Sequence, residues 1–273
     1  MLTPERRAEL FTTNGRPRVN TFVIFEGPSR IDGSPIIVFA TGFRSSKNSK
    51  TGAMLQTHIV RADMDPLQAL RTGADSAVCG ACVLRPRFFD GLRWKDRACY
   101  VRVDTAPLGI WRAWAAGNVP AVTLEELAEL TAGYMARLGS YGDPAAVPLA
   151  VWDAYTARAA GWTGYTHQAR SPKLRDVLKY CQVSADSLAD AETARGAGTG
   201  SFRVLRPGEK AASFETLCPA SEEAGRVKTC DTCRMCSGAN GAAVVIAAHG
   251  GGASKVTTPN RRPLSLPVLE LAR

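Results

Sequence analysis

Apolar residues along the chain come in short runs and helical stripes rather than in long blocks. FVIFEG (22–27) and SPIIVFATG (34–42) flank a turn rich in Pro, Ser, Asp and Gly, which predicts a β-hairpin. FRSSKNSKTGAM (43–54) interrupts the pattern with a polar, cationic loop. TLEELAELTAGYMARL (123–138) has helical spacing, with Thr123 as N-cap and Glu126 three residues on as the partner of a capping box. RLGSYGDP (137–144) then ends in turn residues.

From there the pattern alternates. AVPLAVWDAYTARAAG (146–161) has helical spacing and WTGYTHQ (162–168) reads as a short strand. SPKLRDVLKYC (171–181) predicts a helix capped by Ser171, with Pro172 in its first position. CQVSAD (181–186) is a strand, SLADAETARGAG (187–198) a helix and SFRVLRPG (201–208) a strand. AAVVIAAHG (242–250) is an apolar strand ending in His-Gly. This cadence implies βαβ units and a parallel sheet. The expected fold is α/β: a complete or partial parallel β/α barrel carrying two cysteine loops, with an open doubly wound sheet as the alternative. One α/β domain is expected over 1–250, with the hairpin and basic loop in 1–60 and the barrel-like core in 61–250. The Gly- and Pro-rich segment 251–273 is expected to be a flexible extension.

In either architecture reactive residues gather where parallel strands end. The expected strand ends carry Asp143, His167, Asp186, Arg206 and His249, and Arg137, Asp143, His167 and Asp186 are the residues expected to line the pocket there. A strand end also needs turn residues, so each has a purely structural explanation as well.

The cysteines change the picture most. Seven of the eight form two groups. Cys79, Cys82 and Cys99 are spaced C-x2-C-x16-C. Cys218, Cys230, Cys233 and Cys236 are spaced C-x11-C-x2-C-x2-C. Cys181 is left over and reads as a small buried hydrophobe. Four thiolates close a tetrahedral site, so the second group reads as structural or auxiliary. Its tight C-x2-C-x2-C run, and Pro219 after Cys218, favour an iron–sulfur cluster of the [4Fe–4S] type over zinc. Three thiolates leave one position open, as a catalytic centre requires. The first group therefore reads either as an open-site cluster or as a zinc site completed by another residue such as His58. An open iron is where a cluster binds S-adenosylmethionine, and Tyr100 directly follows the last cysteine.

At 273 residues the chain can bury a large core without needing a metal merely to fold. Its formal net charge of +9 favours an anionic substrate or a nucleic acid as partner. Arg85, Arg87, Arg93, Lys95 and Arg97 interleave with Phe88, Phe89 and Trp94 between the cysteines, a pattern that can track phosphates and stack bases. Lys47 and Lys50 are candidate phosphate or carboxylate contacts, although the loop around them lacks the Gly-Lys of a phosphate-binding loop. Dinucleotide-binding, nucleophile-elbow and deaminase signatures are missing from the sequence. The charged N-terminus has no apolar core of a signal peptide, and no apolar run is long enough to span a membrane. A cytoplasmic protein without disulfides is expected.

The order KNSKTG, a cysteine pair, CY, APLGIWRAW, RLGSYGDP, GWTGYTHQ, SADSLADA, FRVL, CPA, TCDTCRMC and VVIAAHG resembles the gene-product-88-like family encoded by phages, prophages and plasmids. The likeness covers roughly residues 45–250. It implies a mobile-element protein in a bacterial cytoplasm and carries no established activity. The cysteine region ending in CY also looks like that of radical S-adenosylmethionine proteins, although their usual spacing is C-x3-C-x2-C and no GGE-type segment is present. The leading expectation is an iron–sulfur enzyme of that type modifying an anionic substrate, a nucleotide or nucleic acid. The alternative is a zinc-stabilised nucleic-acid-binding protein without catalysis.

Overall fold

The run Ile36–Ala40 is completely buried, and a strand apolar on both faces needs cover on each side. The computed structural model, which describes residues 2–45, 48–238, 240–257 and 264–267, makes it the second strand of a hairpin. β1 (Thr21–Pro28) and β2 (Pro35–Thr41) pair antiparallel, from Thr21 opposite Thr41 to Pro28 opposite Pro35. β3 (Leu55–Arg61) pairs antiparallel with the other side of β2. A separate two-stranded hairpin of β4 (Phe88–Phe89) and β5 (Trp94–Lys95) follows.

The remaining strands are β6 (Met135–Tyr141), β7 (Gly161–Thr166), β8 (Gln182–Ala185), β9 (Ser201–Leu205), β10 (Thr216–Leu217) and β11 (Ala243–Ala247). The main sheet has nine strands in the order β1-β2-β3-β6-β7-β8-β9-β11-β10. Every pairing from β3 onward is parallel. The α/β fold with a large, mostly parallel sheet therefore holds. β1 and β10 stand at opposite ends and do not pair with each other among the described residues. From β3 to β9 each strand is added on the same side, so the reversal of order that defines a doubly wound sheet is absent.

The helices are α1 (Pro4–Leu10), α2 (Pro66–Thr72), α3 (Ser76–Cys79), α4 (Ala106–Ala115), α5 (Leu124–Leu130), α6 (Leu149–Thr156), α7 (Leu188–Gly196) and α8 (Cys230–Cys233). None is long and apolar enough to cross a membrane, among the described residues. Thr123 and Glu126 do form the capping box of α5. That helix stops at Leu130, because Gly133 turns the chain at φ +77° and the next residues become β6. The expected helix over 123–138 is thus two elements. Residues 171–181 also differ from expectation, since the helical part is a 3-10 segment, Arg175–Lys179, preceded by Leu174 rather than by a Ser171 cap. Its apolar spacing suits either winding, and the 3-10 form spans more length per residue on the way to β8.

Side chains alternate along the parallel strands. Ala136, Leu138 and Val183 point into apolar clusters, while Arg137, Thr163, Tyr165, Ser184, Phe202, Val204 and Val244 line a cavity. β3 carries no clear apolar signal in the sequence because Gln56, Thr57 and His58 interrupt it. Thr57 is satisfied by donating to the Arg137 carbonyl at 3.1 Å and accepting the Gly139 N–H at 2.7 Å. Within 251–273, Leu264 packs on Ala169, Leu178, Val183 and Ala194, so the described part of that segment is anchored.

His58 is buried in the sheet with Arg137 nearby. Burial first, and the Arg137 charge second, lower its pKa from 6.5 to about 4. The unfolded chain then binds the extra proton, so stability is complete above about pH 6.5 and is lost as pH falls toward about 4. His58 should account for about 3 kcal/mol of acid lability. Chemical unfolding of wild type and His58→Gln at neutral and mildly acidic pH checks this. The variant should lose less stability on acidification, and an equal loss would contradict the assignment.

Candidate metal centre and cavity

Both cysteine groups lie in loops that leave the sheet at its C-terminal edge, one between β3 and β6 and the other between β9 and β11. They fold over the same face. All seven of their cysteines line one cavity of about 180 Å³. Cys181 is instead packed in the main core, with its thiol held well above the ordinary range by burial.

The first loop is built by buried polar groups. The Arg85 guanidinium donates to both oxygens of Asp75, at 2.7 and 3.0 Å, and to the carbonyls of Gly73 and Gly80. Gln168, at the end of β7, clamps the C-x2-C turn. Its amide donates to the Cys79 carbonyl at 3.2 Å and its oxygen accepts the Ala81 N–H at 3.2 Å. Gly80, at φ +51°, is required here because a Cβ would lie 2.5 Å from the Gln168 amide.

Asp143 ties these pieces together. Its carboxylate accepts from the Ala145 N–H, the Thr166 hydroxyl, the His167 N–H and the Gln168 side chain, at 2.8 to 3.0 Å. Its own N–H donates to the Val78 carbonyl at 2.6 Å. Asp143 is a cavity-lining residue whose acceptor sites are engaged in holding the loop, a positioning role rather than a reactive one.

The second loop rests on the cationic segment after β2. The Cys230 N–H donates to the Lys50 carbonyl at 3.0 Å, and Asp231 accepts the Ala53 N–H at 3.1 Å. On the other side a buried ion-pair group sets the approach to Cys218. Arg203 on β9 donates to both oxygens of Glu215, at 2.8 and 2.6 Å, and also binds Glu209. The Cys218 N–H then joins β11 by donating to the Val245 carbonyl at 2.8 Å.

The electrostatics of the thiols follow from this packing. Burial, with Asp75 and the neighbouring sulfurs adding to it, raises Cys79. Burial raises Cys99 against the opposing charge of Arg97, and raises Cys230 against Arg137. Cys236 is pushed up to about 12 by burial, although the Tyr165 hydroxyl donates to its sulfur. Cys82 is the exception. Burial alone would raise it, but the charge and hydrogen bond of His167 and the Leu84 N–H outweigh burial and bring it below the usual value. The other partner of His167 is Asp186, 3.2 Å from Nε2. Thiols kept neutral by burial ionise readily only when a metal replaces the proton.

Backbone N–H groups aimed at sulfur, from Leu84 to Cys82 and from Val101 to Cys99, are features that tune iron–sulfur clusters. Among the described residues no three His, Cys, Asp or Glu side chains converge on one point as a single metal ion requires.

The remaining candidates fall as follows. Arg137, His167, Asp186, Lys50 and Tyr100 all line the cavity. The Arg137 guanidinium lies 5.7 Å above the Tyr165 ring and 3.4 Å from the Tyr100 hydroxyl. Its Nε is buried without a hydrogen-bond partner. Burial opposes its charge, which the Tyr100 hydroxyl and the Tyr165 ring face. Lys47 lies outside the described residues. His58 is not part of the cavity wall, and Arg206 pairs with Glu209 at 3.0 Å. Asp75 and Glu215 carry no signal in the sequence, because they act through loop architecture that spacing does not reveal. No family model, curated protein or solved structure matches the chain.

Asp143→Asn should cost the metal-free protein about 2–4 kcal/mol, because an amide N–H₂ would then face groups that donate. Arg137→Met should leave stability unchanged or raise it by about 1 kcal/mol, since it removes a half-buried charge that has no carboxylate partner among the described residues. Urea unfolding of both variants distinguishes these roles. A neutral Asp143→Asn, or a strongly destabilised Arg137→Met, would contradict them.

Proposed function

We propose that the protein is an iron–sulfur enzyme whose two cysteine groups serve one cavity that receives an anionic substrate. The observation that carries this reading is the convergence of two cysteine groups, far apart in sequence, on a cavity that also holds the half-buried Arg137, whose Nε is buried without a partner. Cys79, Cys82 and Cys99 would hold a cluster with one open corner, and Cys218, Cys230, Cys233 and Cys236 an auxiliary one. When bound, an open-corner cluster of this kind supplies the electron that cleaves S-adenosylmethionine. The chain supplies the surroundings. Arg137 and Lys50 attract a carboxylate or phosphate, Tyr165 hydrogen-bonds the sulfur of Cys236, and His167 is held by Asp186 against Cys82. The parallel run from β3 to β9 would suit an incomplete β/α barrel, in which the first cysteine loop follows the first parallel strand. A cytoplasmic protein of a mobile element accords with the family resemblance.

A second reading has a specific observation in its favour. Cys82, His167 and Asp186 form a thiol–imidazole–carboxylate series, with the Cys82 thiol lowered, as in a nucleophilic centre. It uses Cys82 as nucleophile rather than ligand, so the two readings exclude each other.

Anaerobic reconstitution with iron and sulfide separates them. The cluster reading predicts about eight irons per chain and broad absorbance near about 400 nm. Cys79→Ser and Cys233→Ser should each remove about half of the iron. Stoichiometric zinc, or no bound metal together with selective alkylation of Cys82, would overturn it.

A further inference from the structure

Four of the eight large apolar side chains exposed among the described residues sit on a single eight-residue hairpin. Phe88 is 48% exposed, Phe89 52%, Leu92 85% and Trp94 36%. Such a cluster costs solvation free energy unless it meets a partner. The hairpin is well made. Phe89 lies opposite Trp94 with ring centroids 5.8 Å apart, and Phe88 lies opposite Lys95. Asp90 accepts the N–H groups of Leu92 and Arg93 at 3.0 and 2.7 Å and closes the turn. Trp94 is seated on Gly73, where any Cβ would lie 2.3 Å from the indole nitrogen. Both arms run directly into the cavity wall, through Cys82–Arg85 and Arg97–Val101.

The charge of this face is cationic. Arg87, Arg93, Lys95 and Arg97 interleave with the rings along the hairpin and its arms, whereas Asp90 is paired with Lys95 at 3.0 Å and Asp96 with Lys255 at 3.7 Å. Aromatic pairs continue inward from the hairpin. Tyr100, 43% exposed at the cavity wall, stacks on His249 with centroids 4.7 Å apart. Deeper in, Tyr165 and Phe202 stack at 4.5 Å, with Arg137 over the Tyr165 ring.

We infer that this face grips a single-stranded nucleic acid, stacking its bases on the β4–β5 hairpin and Tyr100 and directing one nucleotide toward Arg137. Alternating rings and cations suit alternating bases and phosphates, whereas a duplex keeps its base faces stacked internally. Delivery of a nucleotide to the cavity rests on the proposed function of that cavity; strand binding at the hairpin does not.

Fluorescence anisotropy with labelled oligo(dT) and oligo(rU), on full-length metal-free protein, tests the inference. Single strands should bind, with a log–log salt slope of about −2 for three phosphate contacts. Phe89→Ala should weaken binding roughly ten-fold. Arg93→Gln should reduce the slope by about 0.7. Phe88→Ala, on the other face of the hairpin, provides a second probe if Phe89→Ala disturbs the fold. No binding at low salt, equal affinity for the matched duplex, or unchanged binding in Phe88→Ala, Phe89→Ala and Arg93→Gln would overturn it. Strand binding by a protein that never assembles a cluster would sink the proposed chemistry and leave this inference standing.

Discussion

One buried carboxylate holds the candidate site in place. Asp143 leaves the end of β6, gathers the end of β7 through the Thr166 hydroxyl, the His167 N–H and the Gln168 amide, and grips the first cysteine loop through Val78. Gln168 then reaches Cys79 and Ala81. Through these contacts two strand ends and a loop more than sixty positions away behave as one unit. A buried, multiply hydrogen-bonded group of this sort is costly to disturb, because each lost partner leaves a desolvated atom behind.

The second constraint is electrostatic. Seven thiols and a half-buried guanidinium share one small space, and burial opposes ionisation of most of those sulfurs. Folding brings these groups together without any disulfide among them. The arrangement makes chemical sense if the thiolates are neutralised by metal and Arg137 by an anionic ligand. Stability is given up at the cavity and recovered around it, in the Asp75–Arg85 and Arg203–Glu215 pairs that shape the two loops.

Much of this was legible in the sequence, and what was not has physical causes. The hairpin 22–42 and the later strands announced themselves because apolar runs bounded by turn residues allow little else. The capping box of α5 was equally plain. β6 was hidden because 135–138 continue a helical spacing, and only pairing between β3 and β7 makes that segment extended. β3 was hidden because its polar residues are satisfied by partners distant in sequence. Asp143, His167 and Asp186 were reachable from strand ends alone, whereas Arg137 fell within the expected helix 123–138. That both cysteine groups would face one cavity was not, since spacing describes each loop separately and says nothing of where two loops meet. Neither closure into a barrel nor a reversal of order between β3 and β9 is seen among the described residues, and strand order is a property that no local pattern encodes.

The central claim is that two clusters occupy one shared cavity. Electron paramagnetic resonance of the reconstituted, reduced protein tests it most directly. The account predicts two reduced-cluster signals broadened by mutual magnetic coupling, with Cys79→Ser leaving a single, sharpened one. Two independent signals without coupling, or no cluster signal at all, would contradict it.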